Sequence, residues 1–82
     1  MDDLGSLRTQ IDKIDQMIMQ LLDQRFDLTN QVGNVKSQIK KEILDTNREK
    51  IIYEKISKYS HFPQISTIYK TIMEESKKSQ RK

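Results

Sequence analysis

The chain has 82 residues with 34% hydrophobic and 33% charged side chains, a net charge of +3 and no cysteine. That length corresponds to a single small domain and excludes a two-domain enzyme, and the absence of cysteine excludes disulfides and thiolate metal sites. With His61 as its single histidine, the chain offers no imidazole pair for zinc and no Cys/His dyad.

A mean hydropathy of −0.81 would suit a disordered segment, but the apolar residues are regularly spaced, so the chain is expected to fold. No apolar run reaches the ~18 residues of a membrane helix, and Met1-Asp2-Asp3 is acidic where a signal peptide is basic, which points to a cytoplasmic protein without membrane attachment. The basic surplus is local. Without Lys77, Lys78, Arg81 and Lys82 the net charge falls from +3 to −1. Residues 77–82 therefore read as a frayed basic tail, and nucleic-acid binding is disfavoured.

Leu4, Leu7, Ile11, Ile14, Ile18, Leu21, Leu28, Val32, Val35 and Ile39 recur in alternating steps of three and four, with only position 25 missing. Proline is absent and Gly33 is the one weak interior position, so a single helix from about Leu4 to Ile39 is predicted. Such a helix is about 50 Å long, whereas a globule of this size has a radius of gyration of roughly 12 Å. The remaining residues are too few to cover it, which predicts a homodimer with paired long helices.

Asp45-Thr46-Asn47 opens a second, short helix with Ile51, Ile52, Ile56 and Tyr59 inward. Ser60-His61-Phe62-Pro63 ends it. A third helix, of medium length, runs from about Pro63 to near Gln80, with Ile65, Ile68, Tyr69, Ile72 and Met73 on one face. No strand pattern, phosphate loop or internal repeat is present. The fold class is all-α, with three helices per chain in an intertwined homodimeric bundle, and residues 1–82 form one domain.

Chemistry-bearing residues appear where these stripes break. Arg25 stands in a heptad slot that Leu or Ile would fill, so its charge needs an internal carboxylate or a bound anion unless it snorkels or sets register. Lys36 follows eleven residues later, about 20° round the helix and about 16 Å along it, so both heads can lean toward one point above Thr29 and Val32. The third helix turns polar at Ser76 and Gln80, either because it emerges into solvent or because it faces a polar site. On the second helix Asp45 reads as a cap, and Arg48 sits in a first turn where a cation is mildly unfavourable unless it meets an anion. Glu49 could accept a hydrogen bond from a ligand hydroxyl.

The set Leu7-Arg8-x-x-Ile11-Asp12-x-Ile14-Asp15, Leu21-Leu22-x-x-Arg25, Val32-Gly33-x-x-Lys36, Asp45-x-x-Arg48-Glu49 and Ser76-x-x-x-Gln80 resembles the all-α chorismate mutase family over nearly the whole chain. The resemblance implies a cofactor-free Claisen rearrangement of chorismate to prephenate, on the branch to phenylalanine and tyrosine. It also implies an intertwined dimer with two active sites, each lined by both chains. Carried over, Arg8 reaches in from the partner chain and joins Arg25 and Arg48 in clamping the substrate's carboxylates. Lys36 and Gln80 match the donors to the ether oxygen, Asp45 and Glu49 match contacts to the ring hydroxyl, and Ser76 matches a contact to a carboxylate. Arg8 and Arg25 are about 25 Å apart along one helix, so antiparallel pairing of two chains is what lets both reach one small molecule.

Two features depart from the family pattern. Lys77 stands where family members often carry an apolar residue beside the site, and the connection from Tyr59 to Gln64 is short. Isochorismate-pyruvate lyase activity on the same fold is one competing reading, and a non-catalytic helical dimerisation module is another. Control by aromatic amino acids would have to come from a partner, such as another enzyme of the shikimate pathway.

Overall fold

A computed structural model describes residues 3–81, and Met1, Asp2 and Lys82 lie outside the described residues. Three helices follow one another: α1 (Asp3–Gln38), α2 (Thr46–Ile56) and α3 (Phe62–Gln80). The described residues contain no strand, and none of their helices is long and apolar enough to cross a membrane.

The α1 helix runs without interruption because no residue in it lacks a backbone donor and most are good helix formers. Its 36 residues span about 54 Å at 1.5 Å per residue, and the chain is correspondingly elongated at 59 × 24 × 14 Å. The helix ends in a Schellman arrangement: Lys41 N–H reaches the Lys36 carbonyl at 2.8 Å and Lys40 N–H the Ser37 carbonyl at 3.3 Å. Lys40 occupies the left-handed position at φ 56°. Chain direction then reverses, and Asp45 caps α2 by accepting the Arg48 N–H at 2.9 Å.

The C-terminal half of α3 packs on the C-terminal half of α1, and α2 packs on α3. Ile56 and Met73 are the buried apolar side chains among the described residues, joined by the hydroxyl-bearing Ser76. The α1–α3 seam also has a polar stretch, where the Thr29 and Ser79 hydroxyls lie 3.0 Å apart and Ser79 donates to the Asn30 side-chain oxygen.

Two sequence-based expectations differ from the structure of the single chain. Ile51, Tyr59 and Ile68, expected to face inward, are exposed. The reason is that α2 is only three turns long and rests on α3 alone, so one face of each helix has nothing to pack against. Helix α3 continues unbroken through Gln80, so Lys77 and Lys78 stand on its last turns. Its last turns are held by contacts to α1 and α2. The N-terminal stripe of α1, Leu4, Leu7, Ile11, Ile14 and Ile18, is roughly half exposed throughout. The radius of gyration of 16.2 Å exceeds the ~12 Å of a compact chain of this length.

Candidate active site

The end of α1, the connection after it, the start of α2 and the end of α3 enclose a cavity of about 340 Å³. Seven of the eight candidate residues line it: Arg25 and Lys36 from α1, Asp45, Arg48 and Glu49 from the start of α2, and Ser76 and Gln80 from α3. Thr29 and Val32 lie between Arg25 and Lys36 on the cavity wall, as the helical spacing requires. The eighth candidate, Arg8, is exposed on the N-terminal half of α1 and does not line the cavity.

Helical geometry explains the convergence. Arg25, Thr29, Val32 and Lys36 follow one another in steps of four and three and share a face of α1. Met73, Ser76 and Gln80 do the same on the last turns of α3, which cross that face. The crossing is close, because Gly33 is buried with the Gln80 backbone directly over it. A weak helix position in the sequence is thus the point where α3 reaches α1, and it places Gln80 beside Lys36.

Lys36 Nζ donates to Gln80 Oε1 and to the Ile43 carbonyl, both at 2.8 Å. An ammonium has three protons, so one is left for a third acceptor. The Gln80 amide accepts through its oxygen and keeps both N–H donors. The two side chains therefore form a paired donor set on one wall of the cavity.

Arg25 is partly buried and, among the described residues, is not one half of an ion pair. Its guanidinium donates to the Ser76 hydroxyl, which in turn donates to the Ile72 carbonyl at 2.6 Å. Ser76 is 5% exposed. The polar end of the α3 stripe thus faces the cavity and does not emerge into solvent. Asp45 caps α2 through one carboxylate oxygen, Oδ1, which accepts the Arg48 N–H.

The charge balance is the main electrostatic feature. Four cations, Arg25, Lys36, Arg48 and Lys77, line the cavity with two carboxylates, Asp45 and Glu49. Lys77 faces Glu49 at 3.6 Å. Among the described residues Arg25, Lys36 and Arg48 have no carboxylate within ion-pair distance. Three uncompensated cations around a partly enclosed space favour an anionic occupant of small-molecule size. Leu28, Ile43, Ile52 and Met73 supply apolar wall between them.

Sequence reasoning missed one member and gave another no role. The Ile43 carbonyl carries no residue-type signal, because any residue supplies that oxygen. Lys77 was placed beside the site as a departure from the family pattern, but its pairing with Glu49 depends on how α2 docks.

Residues 7–81 match the model of a family described as chorismate mutase type II. Among similar proteins, a chorismate mutase of Methanocaldococcus jannaschii is 40% identical over 55 residues, covering 67% of this chain and 56% of its own length. A bifunctional chorismate mutase/prephenate dehydratase of Aquifex aeolicus is 41% identical over 56 residues, 68% of this chain and 16% of its own length. A second bifunctional protein of that description, from Buchnera aphidicola, is 36% identical over an 86-residue alignment, 99% of this chain and 22% of its own length. The chain thus spans little more than half of the first relative and under a quarter of the other two. No solved structure gives a significant match.

Proposed function

The chain belongs to the chorismate mutase type II family, and we propose that it catalyses the Claisen rearrangement of chorismate to prephenate. The observation that supports this most directly is the joint presence, on one cavity, of three cations without carboxylate partners and the Lys36–Gln80 donor pair. Chorismate is a dicarboxylate with an enol ether, and these are the two features that such a cavity addresses.

In this reading Arg25 and Arg48 hold the substrate's carboxylates, with Ser76 beside Arg25, and Arg8 of the partner protomer completes the clamp. The clamp selects a compact conformer in which the two carbons to be joined are close, so orientation is supplied by binding. Rearrangement breaks the ether carbon–oxygen bond as a carbon–carbon bond forms, within one molecule and without a proton leaving or entering. Negative charge grows on the ether oxygen during this step. The free proton of Lys36 and the amide of Gln80 meet that charge, a stabilisation of about 3 to 4 kcal/mol per well-placed donor. Asp45 and Glu49 are assigned to the ring hydroxyl.

The reading includes a homodimer. Pairing two antiparallel α1 helices would bury the exposed N-terminal stripe and carry Arg8 across to the other cavity, a distance of about 25 Å along the helix from Arg25. Two relatives join a chorismate mutase to a prephenate dehydratase by name, which supports a place at the same branch of aromatic amino-acid synthesis and association with an enzyme that takes up prephenate.

The test is loss of chorismate absorbance on adding the purified chain, with prephenate identified as product and Lys36→Ala as control. Sedimentation checks that both are dimers. Conversion that disappears in the control supports the reading. A folded dimer that leaves chorismate untouched overturns it, and isochorismate is then the next substrate to offer.

A further inference from the structure

The Glu49–Lys77 pair is the only polar side-chain contact between α2 and α3 among the described residues. It lies on the cavity wall, with both side chains about three-quarters buried at 25% and 28% exposure. Glu49 shares the cavity with Arg25, Lys36 and Arg48, none of which has a carboxylate partner. A carboxylate left unrestrained in that field would turn toward one of those cations and neutralise it.

We infer that Lys77 is a positioning residue: by occupying the Glu49 carboxylate from α3, it keeps Glu49 on the cavity wall and leaves the Arg25, Lys36 and Arg48 charges available to an anionic substrate. The inference rests on the mutase reading for its substrate and on the observed ion pair for its geometry. Helix position supports it, because Lys77 is three residues before Gln80 on α3 and Glu49 directly follows Arg48 on α2. The pair therefore ties together the two helix ends that carry the proposed donors and clamp. Lys77 itself makes no contact with Ser76 or Gln80 side chains that would give it a different partner.

Four chains test this with chorismate: the unmodified protein, Lys77→Met, Glu49→Gln and the double variant, each checked for helicity and oligomeric state. Binding, and not the bond-making step, should suffer when Glu49 is released, so Lys77→Met is expected to raise KM about fivefold to twentyfold with kcat within about threefold. In the Glu49→Gln background the same substitution should change KM by less than about twofold, since there is no carboxylate left to restrain. A fifth chain, Lys77→Arg, which retains the charge, should stay near the unmodified KM. An unchanged KM in Lys77→Met, or the same fold-change in both backgrounds, overturns the proposal, because Lys77 would then be inert or would act on substrate directly. If the unmodified chain does not turn over chorismate, the mutase reading fails on its own. Thermal midpoints of the same four chains then decide the pair: non-additive shifts support the restraint, and additive shifts overturn it.

Discussion

A Cβ built on Gly33 would lie 2.5 Å from both the Cα and the carbonyl oxygen of Gln80. Backbone meets backbone at this crossing, so neither side can yield by a rotamer change. Alanine is favoured over glycine by about 1 kcal/mol in an isolated helix, yet here it requires α3 to move. Gly33→Ala should be destabilised by about 1 to 3 kcal/mol despite its better propensity. Because the displaced residue is Gln80, chorismate turnover should fall by about tenfold or more in the fraction that remains folded. Denaturant unfolding and kinetics on the same preparation check both; a more stable and fully active variant would show that the helices do not approach so closely.

Lys36 combines two duties, bonding Gln80 and the Ile43 carbonyl. Replacing it by Ala removes the proposed cation at the ether oxygen and releases the connection between α1 and α2. A donor acting mainly in the transition state should cost about 10² to 10³ in kcat, with a smaller change in KM. A loss confined to KM would reassign Lys36 to ground-state binding.

The long helix, the anomaly of Arg25 and the shared face of Arg25 and Lys36 were legible because helical period alone fixes which residues are neighbours. The convergence of Asp45, Arg48, Glu49, Ser76 and Gln80 was legible only through the family resemblance, since no period relates α2 to α3. Gly33 shows the limit of local reasoning. Its low propensity is a property of one residue, whereas its use depends on the Gln80 backbone 47 positions later. The inward assignment of Ile51, Tyr59 and Ile68 failed for the single chain because an apolar residue on a helix marks a face to be covered and does not say by what.

Lys40 offers a test of stability away from the cavity. It holds the left-handed position of the α1 Schellman turn at φ 56°, where an L-residue is strained by roughly 1 kcal/mol and glycine is not. Lys40→Gly should therefore gain about 0.5 to 1 kcal/mol, a rise of a few degrees in Tm. Activity should be unchanged, because the side chain does not line the candidate site. A lower Tm would mean that the turn relaxes to a different geometry in solution.

Gln80→Glu separates the two ways in which position 80 can serve the reaction. The amide of Gln80 donates through N–H at any ordinary pH, whereas a carboxyl donates only while protonated. The ordinary glutamic acid pKa is about 4.3, and the Lys36 ammonium, 2.8 Å from the present amide oxygen, favours the ionised form of the introduced group. Ionisation would remove the donor and also pair off Lys36, so both effects act in the same direction. Activity should be low near neutral pH and rise as the pH falls toward the carboxyl's pKa, moving the optimum to acid, while the unmodified chain shows no such rise. The pH dependence of kcat/KM, measured for both chains over the range in which they stay folded, gives the answer. A variant whose profile superimposes on that of the unmodified protein would remove Gln80 from the ether-oxygen role and leave Lys36 to supply that stabilisation alone.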